Sequence, residues 1–595
     1  MRSYRPTSGQ STFKTGNPNP PVYHMPPFSL PIALLKNKTS LEPELVSDLE
    51  LISSIGDGQP LYSHVFGPSK GLGQRTFDKW SQYYTSDRRH IKDCQRLLKR
   101  SLPAPLATKD EKDIEEVWSM LARRKAAGQD VDGFHSTYQY IDWDKLKWLN
   151  SSPAFLTCLS AYNIGSPLIS LATPIFIMLV PFVLLKVKGL NVSIKNYLQV
   201  LRVAMRGHAL GKLFDLGSAT TEQRMYIAVS IAFYAFQVYQ NVRSCIQFCR
   251  NTSTVRLHVQ TVKAFLRAWI DRASSFEKRT RGLKSFSPFV GATRQQVEKA
   301  RRFFAELPTL DPTDSWRARA VGIGSEMKAF YMIHQDAELR EVLGYGLDWC
   351  GYIENLREVK RRLAEGAMHA CKLSKTSTAF CGARFPASGP DPVKNSYRLD
   401  KHLLVTGPNA AGKTTILKAT LFNVLLSQQL GVGFYDRARI APYDRIHCYI
   451  NIPDTGGRDS LFQAEARRCR NILASIDETP VDSRHFCVFD ELYSGTNPYE
   501  AVGSAEAFLR YIGDSSRVSF IMTTHFLDLC SRLDDHQRVS NCHMAAECGD
   551  KGMQYTYKLM PGVSTIKGGV EVLKALSYPD SVVKAARCTV ESLSI

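Results

Sequence analysis

Gly407-Pro408-Asn409-Ala410-Ala411-Gly412-Lys413-Thr414 is the stretch on which the reading of this 595-residue chain turns. Its spacing is G-x4-G-K-T. Residues 401–406 (KHLLVT) ahead of it read as a short apolar strand, and a helical pattern follows to Leu430. A strand, a glycine-rich turn and a helix in that order describe a phosphate-binding loop. The glycines let backbone N–H groups curl around phosphate oxygens, and the following helix N-terminus adds positive potential. Lys413 is then expected to reach the β- and γ-phosphates of ATP, and Thr414 to hold Mg2+. Pro408, Asn409, Ala410, Ala411 and Thr415 complete the expected nucleotide cradle.

Two further runs stand in register behind this loop. Residues 486–491 (FCVFDE) put Asp490 83 positions after Gly407, as four apolar residues closed by two carboxylates. That is the pattern of a buried parallel strand delivering a metal-binding Asp490 at its end. Glu491 is expected to polarise the attacking water. Residues 518–525 (VSFIMTTH) read as another strand, ending in His525, 35 positions after Asp490. His525 is expected to sense the γ-phosphate; the plain alternative is a capping histidine.

These residues resemble one family, the MutS ATPases, relatives of the ABC class. The resemblance rests on GPNAAGKTT at the loop, on Asp490-Glu491 with Gly495-Thr496-Asn497, and on Pro442–Ile446 (PYDRI) in the strand between. Gly457-Arg458-Asp459-Ser460-Leu461-Phe462 with Glu465 is similar to the family's signature loop, imperfectly. Residues 557–562, Gly568-Gly569-Val570 and Pro579 resemble its closing strand and helices. Arg384-Phe385-Pro386 and Val393-Lys394-Asn395 are weaker matches to the entry of the domain. The resemblance covers about residues 383–586. It implies an α/β P-loop ATPase domain of ABC/MutS type, preceded by a mostly α-helical lever- and clamp-like region. It also implies a dimer in which Ser460 approaches the partner's nucleotide in trans, a clamp on duplex or branched DNA, and a role in mismatch repair or related DNA processing. Family members that read mismatches carry an N-terminal G-x-F-[YF]-E wedge. The nearest look-alike, Gly433-Phe434-Tyr435-Asp436, falls inside the nucleotide domain, so no wedge is expected.

Charge separates the chain into unlike parts. Residues 401–595 carry 21 Lys and Arg against 21 Asp and Glu, so the formal +20 lies wholly in residues 1–400. Residues 151–300 alone hold 19 basic and 5 acidic residues. A basic region beside a neutral nucleotide domain suits a polyanionic partner, DNA first and an anionic membrane second. Fourteen cysteines without a CxxC pair fit a reducing, intracellular compartment, nuclear or cytoplasmic.

The expected domains are a Pro-rich tail at 1–40, a mixed helical region at 41–150, a basic helical region at 151–375, and the ATPase at 383–595. Residues 374–400, rich in Gly, Pro and Ser, read as the junction. Residues 110–127, 293–307 and 336–371 carry helical periodicity. Residues 164–185 contain no charge, and a second uncharged run covers 225–242. The first is long enough to cross a membrane, and Pro167, Pro174 and Pro181 are better tolerated there than in a soluble helix. A hairpin of both runs would place the basic connection between them outside, against the positive-inside rule. A buried core helix is the other reading, and both stay open at this point. An ABC transporter half is disfavoured, because no LSGGQ-like segment appears and two spans are too few for a transport path.

Overall fold

The computed structural model describes residues 28–592, apart from 55, 57, 69–70, 127–132, 191–192, 205–220, 311–314, 453–459, 550–551, 565, 567–569, 571–572 and 575. His402–Thr406, the strand before the glycine-rich loop, is buried at every position. It lies inside a six-stranded sheet whose order across the sheet is Arg445–Tyr449, His485–Asp490, Val518–Thr523, His402–Thr406, Val539–Gly549 and Gly552–Pro561. The first five strands are parallel, and the last returns as an antiparallel hairpin. Parallel strands covered on both faces need continuous apolar runs, which is why HFCVF and VSFIM read as they do.

The two faces of the sheet have different neighbours. Leu404, Cys487, Phe489, Phe520 and Met522 pack on one face against Ile472, Leu509 and Ile512 from the helices Leu461–Glu478 and Pro498–Asp514. Leu403, Val405, Phe486, Val488 and Ile521 point the other way. They join a core that runs through the helix Lys413–Gln429 into residues 28–371. The nucleotide domain and the helical half therefore share one continuous hydrophobic interior.

Two sequence expectations are corrected here. The tail expected over 1–40 ends earlier, because Phe28, Leu30 and Ile32 are buried and Lys38–Ser40 pairs antiparallel with Tyr83–Thr85. Residues 1–27 lie outside the described residues. Residues 374–400 are not a linker: Ala379–Ala383 and Asn395–Arg398 form a hairpin in a four-stranded sheet with Arg437–Ile440 and Lys372–Leu373. Glycine and proline there shape a hairpin turn. The wedge look-alike is core: Phe434 and Tyr435 are buried, and Asp436 pairs with Arg384 and Lys394.

The expected helices appear as Thr108–Ala126, Ser287–Glu306 and Ala337–Ala364, the last capped by Asp336, which accepts from the Leu339 N–H at 2.9 Å. The two apolar runs lie in two very long helices. Pro153–Val187 starts with Ser152 as N-cap and Pro153 in the first turn, and Thr221–Thr280 runs for 60 residues. At the root, the helix Trp316–Gln335 crosses the first turn of Pro153–Val187. A Cβ on Gly324 would lie 2.0 Å from the Pro153 carbonyl oxygen, so only glycine permits that crossing. The lower part of the 60-residue helix is fixed in the core through Val259, Leu266 and Trp269. The upper parts of both helices project from it as an arm. The core-helix alternative for 164–185 fails: Leu168, Leu171, Phe176, Leu179, Val183 and Leu184 are all exposed.

Candidate active site

The glycine-rich loop turns between a buried strand and a buried helix. Gly407 has φ 147° and Gly412 φ 95°, and Ala410 between them is also left-handed at φ 64°. Asn409, Ala410, Thr414 and Thr415 are exposed on the crest, while Pro408, Ala411 and Lys413 are buried. Gly412 opens the helix Lys413–Gln429, and no side chain caps it, which leaves its first N–H groups for a ligand.

Register brings the distant motifs together. Asp490 pairs with Thr523 across the sheet, and both strand ends stop beside the loop. The Thr414 hydroxyl donates to Asp490 Oδ2 at 2.7 Å, and the Thr523 hydroxyl donates to Oδ1 of the same carboxylate. Lys413 Nζ donates to the carbonyls of Gly407 at 3.1 Å and Pro408 at 3.3 Å. It also lies 3.0 Å from His525 Nε2 and 4.0 Å from Glu491 Oε1. Burial pulls the Lys413 ammonium below its ordinary range, with Glu491 and Asp490 opposing that shift. Glu491 is held below the usual carboxylate range, first by its hydrogen bond to His525 and then by the charges of His525 and Lys413, against the effect of burial.

His525 Nε2 is shared between two claims. It lies 2.9 Å from Glu491 Oε1 as well as 3.0 Å from Lys413. A ring with its proton on Nδ1 accepts from Lys413, and a ring protonated at Nε2 donates to Glu491. The two arrangements exclude each other, so the proton on His525 decides which neighbour it serves. Glu491 itself sits at φ 52° and Tyr493 at φ 59°, a sparsely populated backbone region that costs energy for residues with a Cβ. The Glu491 N–H donates to the Thr523 carbonyl and approaches its hydroxyl, each at 3.2 Å.

Ser460 stands apart from this cluster. It caps its own helix, accepting from the Gln463 N–H at 3.3 Å while Gln463 Oε1 accepts from the Ser460 N–H at 3.0 Å. Among the described residues no hydrogen bond joins it to the glycine-rich loop of the same chain. Gly457, Arg458 and Asp459 lie outside the described residues, as do Gly568 and Gly569.

Three features were not assigned a role from the sequence. Glu465 is buried, and its carboxylate accepts from the N–H groups of Ser494 at 3.0 Å and Gly495 at 3.1 Å and from the Ser494 hydroxyl. It staples the signature helix to the loop after Glu491, and its place in the signature pattern was the available clue. A cavity of about 390 Å3 opens behind Gly412 and Thr415, lined by Phe385, Val393, Met544 and Tyr557. No spacing rule joins residues so far apart in the chain. Finally, Glu42 and Glu44 from the N-terminal segment pair with Arg468 on the signature helix at 3.0 and 3.6 Å.

ATP and Mg2+ fit these residues. Paired glycines, a buried lysine and a helix N-terminus suit a polyphosphate, and the adjoining cavity has the size and aromatic lining of a base pocket. Among the described residues no group of three or more His, Cys, Asp and Glu gathers as a metal cage. A site built from one hydroxyl and one carboxylate suits Mg2+, which takes its remaining ligands from phosphate and water.

A sequence profile described as MutS domain V matches residues 403–594. The DNA mismatch repair protein MutS 1 of Halobacterium salinarum is 31% identical over 206 residues, 34% of this chain and 23% of that protein. The DNA mismatch repair protein MutS of Salinibacter ruber is 29% identical over 211 residues, and that of Staphylococcus haemolyticus 25% over 207, with the same coverage. The chain thus spans about a quarter of the length of the curated relatives it matches. Residues 403–594, about a third of the chain, match MutS domain V, the domain shared with these mismatch repair relatives.

Proposed function

We propose that the chain is a Mg2+-dependent ATP hydrolase of the MutS type, working as a dimer on DNA. The observation that carries this reading is the meeting of Lys413, Thr414, Asp490, Glu491 and His525 at the C-terminal ends of the central strands. Bound MgATP supplies a phosphoryl group open to in-line attack by water. Residues 407–415 hold the phosphates, and Lys413 leaves the Gly407 and Pro408 carbonyls for β- and γ-phosphate oxygens. Thr414 and Asp490 hold the metal. Glu491 orients and deprotonates the water, and its depressed pKa keeps it ionised for that role. His525 exchanges its one Nε2 contact between Lys413 and Glu491 and senses the γ-phosphate through that choice. Ser460 completes the partner's site in trans, and its helix is tied back to Glu491's loop through Glu465. The Phe385–Tyr557 cavity takes the base.

The reading assigns residues 383–595 to the ATPase and 151–375 to a helical region that answers to it. Mismatch repair or related DNA processing follows from the relatives' names, and no mismatch wedge is assigned to this chain. The excess of basic residues over 243–302 supports DNA contact at the base of the arm. The decisive measurement is the ATPase rate with and without homoduplex, mismatched and branched DNA. A rate indifferent to all three sinks the DNA role and leaves the hydrolase. The exposed apolar arm favours a second reading, a membrane-associated ATPase of the same type that does not act on mismatches.

A further inference from the structure

We propose that the arm formed by Pro153–Val187 and the upper part of Thr221–Thr280 inserts into a lipid bilayer as a helical hairpin. The inference stands on the arm alone and is independent of the nucleotide site.

Exposure carries it first. Leu168, Phe176 and Leu179 are 73%, 59% and 54% exposed on one helix, and Met225, Phe233 and Phe236 are 69%, 70% and 56% exposed on the other. At 100° per residue, the exposed apolar positions of each helix occupy more than half its circumference, leaving only the strip that faces the other helix. A helix that apolar belongs in a protein core or in lipid, and this one is outside the core. No soluble surface of ordinary kind exposes so large a patch.

Dimensions and polar atoms narrow the occupant to a bilayer. Residues 164–187 span about 36 Å and residues 225–246 about 33 Å as helix, against about 30 Å of hydrocarbon. Neither helix has a charge between Pro153 and Leu185 or between Met225 and Val242. Several polar groups within the band are satisfied inside the hairpin, while Gln237 and Gln240 stay exposed. The Tyr234 hydroxyl donates to the Ser170 carbonyl at 2.9 Å, Asn241 donates to the Ser170 hydroxyl, and Cys245 Sγ donates to the Ile164 carbonyl. The Thr173 hydroxyl closes on the Ile169 carbonyl at 2.7 Å. A surface meant for water or for DNA would turn those groups outward; lipid demands that they be satisfied within the hairpin.

The ends are marked by charge and tyrosine. Arg243 and Arg250 flank the body end, Lys186, Lys188 and Lys195 the far end, and exposed Tyr162 and Tyr226 stand at either boundary. Basic residues at both ends suit anionic headgroups, although the far-end cluster opposes the positive-inside rule for a hairpin whose body carries the nucleotide domain. Orientation is then set by the folded nucleotide domain, which stays on the side that supplies ATP.

The test uses the full chain with vesicles of phosphatidylcholine containing about one quarter phosphatidylserine. The protein is expected to float with the vesicles and to stay with them through high salt and alkaline carbonate. Phe176→Arg with Phe233→Arg places two charges at mid-band on exposed positions and is expected to lower partition by about a hundredfold or more. Nucleotide binding by that variant, expected at the unaltered level, confirms that it is folded. As an independent reading, a dye on Leu179→Cys is expected to shift to the blue and to be quenched by brominated lipid. Release by salt alone, displacement of the vesicles by duplex DNA, or a detergent-free soluble oligomer in which a second copy shields Leu179 would each overturn the proposal.

Discussion

The nucleotide domain and the arm are both rich in apolar residues, and they use them in opposite ways. In the domain, every residue of His402–Thr406 is buried, and each face of the sheet is closed by helices or by the shared core. In the arm, Leu168 and Phe233 are 73% and 70% exposed on the upper parts of two helices whose lower parts are packed into the body. Hydrophobicity in the first region builds a fixed frame on which five side chains converge. In the second it is left facing outward, and its partner must come from outside the chain. Composition alone does not separate the two; burial does.

Four substitutions and one titration sharpen that contrast, because each should touch the domain and leave the arm's surface as it is. Lys413→Ala is expected to abolish nucleotide binding, read by fluorescent-ATP titration, while vesicle flotation is unchanged. Glu491→Gln is expected to bind ATP normally and to lower turnover by about a thousandfold; normal hydrolysis would remove Glu491 as the general base. The third is a pH effect. His402 is buried, its Nδ1 accepting from the Phe520 N–H and its Nε2 beside the Gly513 carbonyl, and burial lowers its pKa from 6.5 to about 4. The unfolded chain takes up that proton near pH 6.5 and the folded chain only near 4. Stability is therefore full above about pH 6.5 and falls as pH drops towards 4, by on the order of 3 kcal/mol from this group. Urea midpoints across that window, in wild type and His402→Phe, measure the share.

Glu465→Gln comes next. It replaces an acceptor facing two backbone N–H groups with an amide, and is expected to cost about 1–3 kcal/mol and to slow turnover through the loop after Glu491. Ser460→Ala is the smallest, about 1 kcal/mol from the lost cap, with nucleotide binding to the monomer intact and turnover impaired. A wild-type rate for that variant would leave the serine as a cap and nothing more.

What could be read ahead of the structure follows from how tightly chemistry dictates residue type. Glycines at a tight turn, a helix opening on lysine and an apolar run closed by carboxylates each dictate local structure, so the strand, loop and helix around 407–414 and the strand at 485–490 were legible. His525 was placed by spacing alone, yet its double contact with Lys413 and Glu491 exists only in three dimensions. The Phe385–Tyr557 cavity draws on both ends of the domain, and no local pattern announces it. Residues 28–40 were hidden by composition: proline-rich sequence reads as tail, although Phe28, Leu30, Pro31 and Ile32 are buried around a short 3-10 helix at Pro31–Leu34. The hairpin at 379–398 was hidden the same way. In the arm, helix length and lack of charge were plain, but pairing and exposure were not, since an apolar run looks identical in a core and in lipid.

The 60-residue helix has a mechanical meaning. At 1.5 Å per residue it is about 90 Å long, and Trp269, near its lower end, is wedged so close to Gly346 that a Cβ there would lie 3.0 Å from the indole ring. From that fulcrum to Met225 is about 66 Å of unbroken rod. A tilt of about 3° at the fulcrum swings the far end by roughly 3.5 Å. The rod's fixed end shares its core with the helix Lys413–Gln429. A small angular adjustment in that core would thus be delivered, magnified, at the opposite extreme of the molecule.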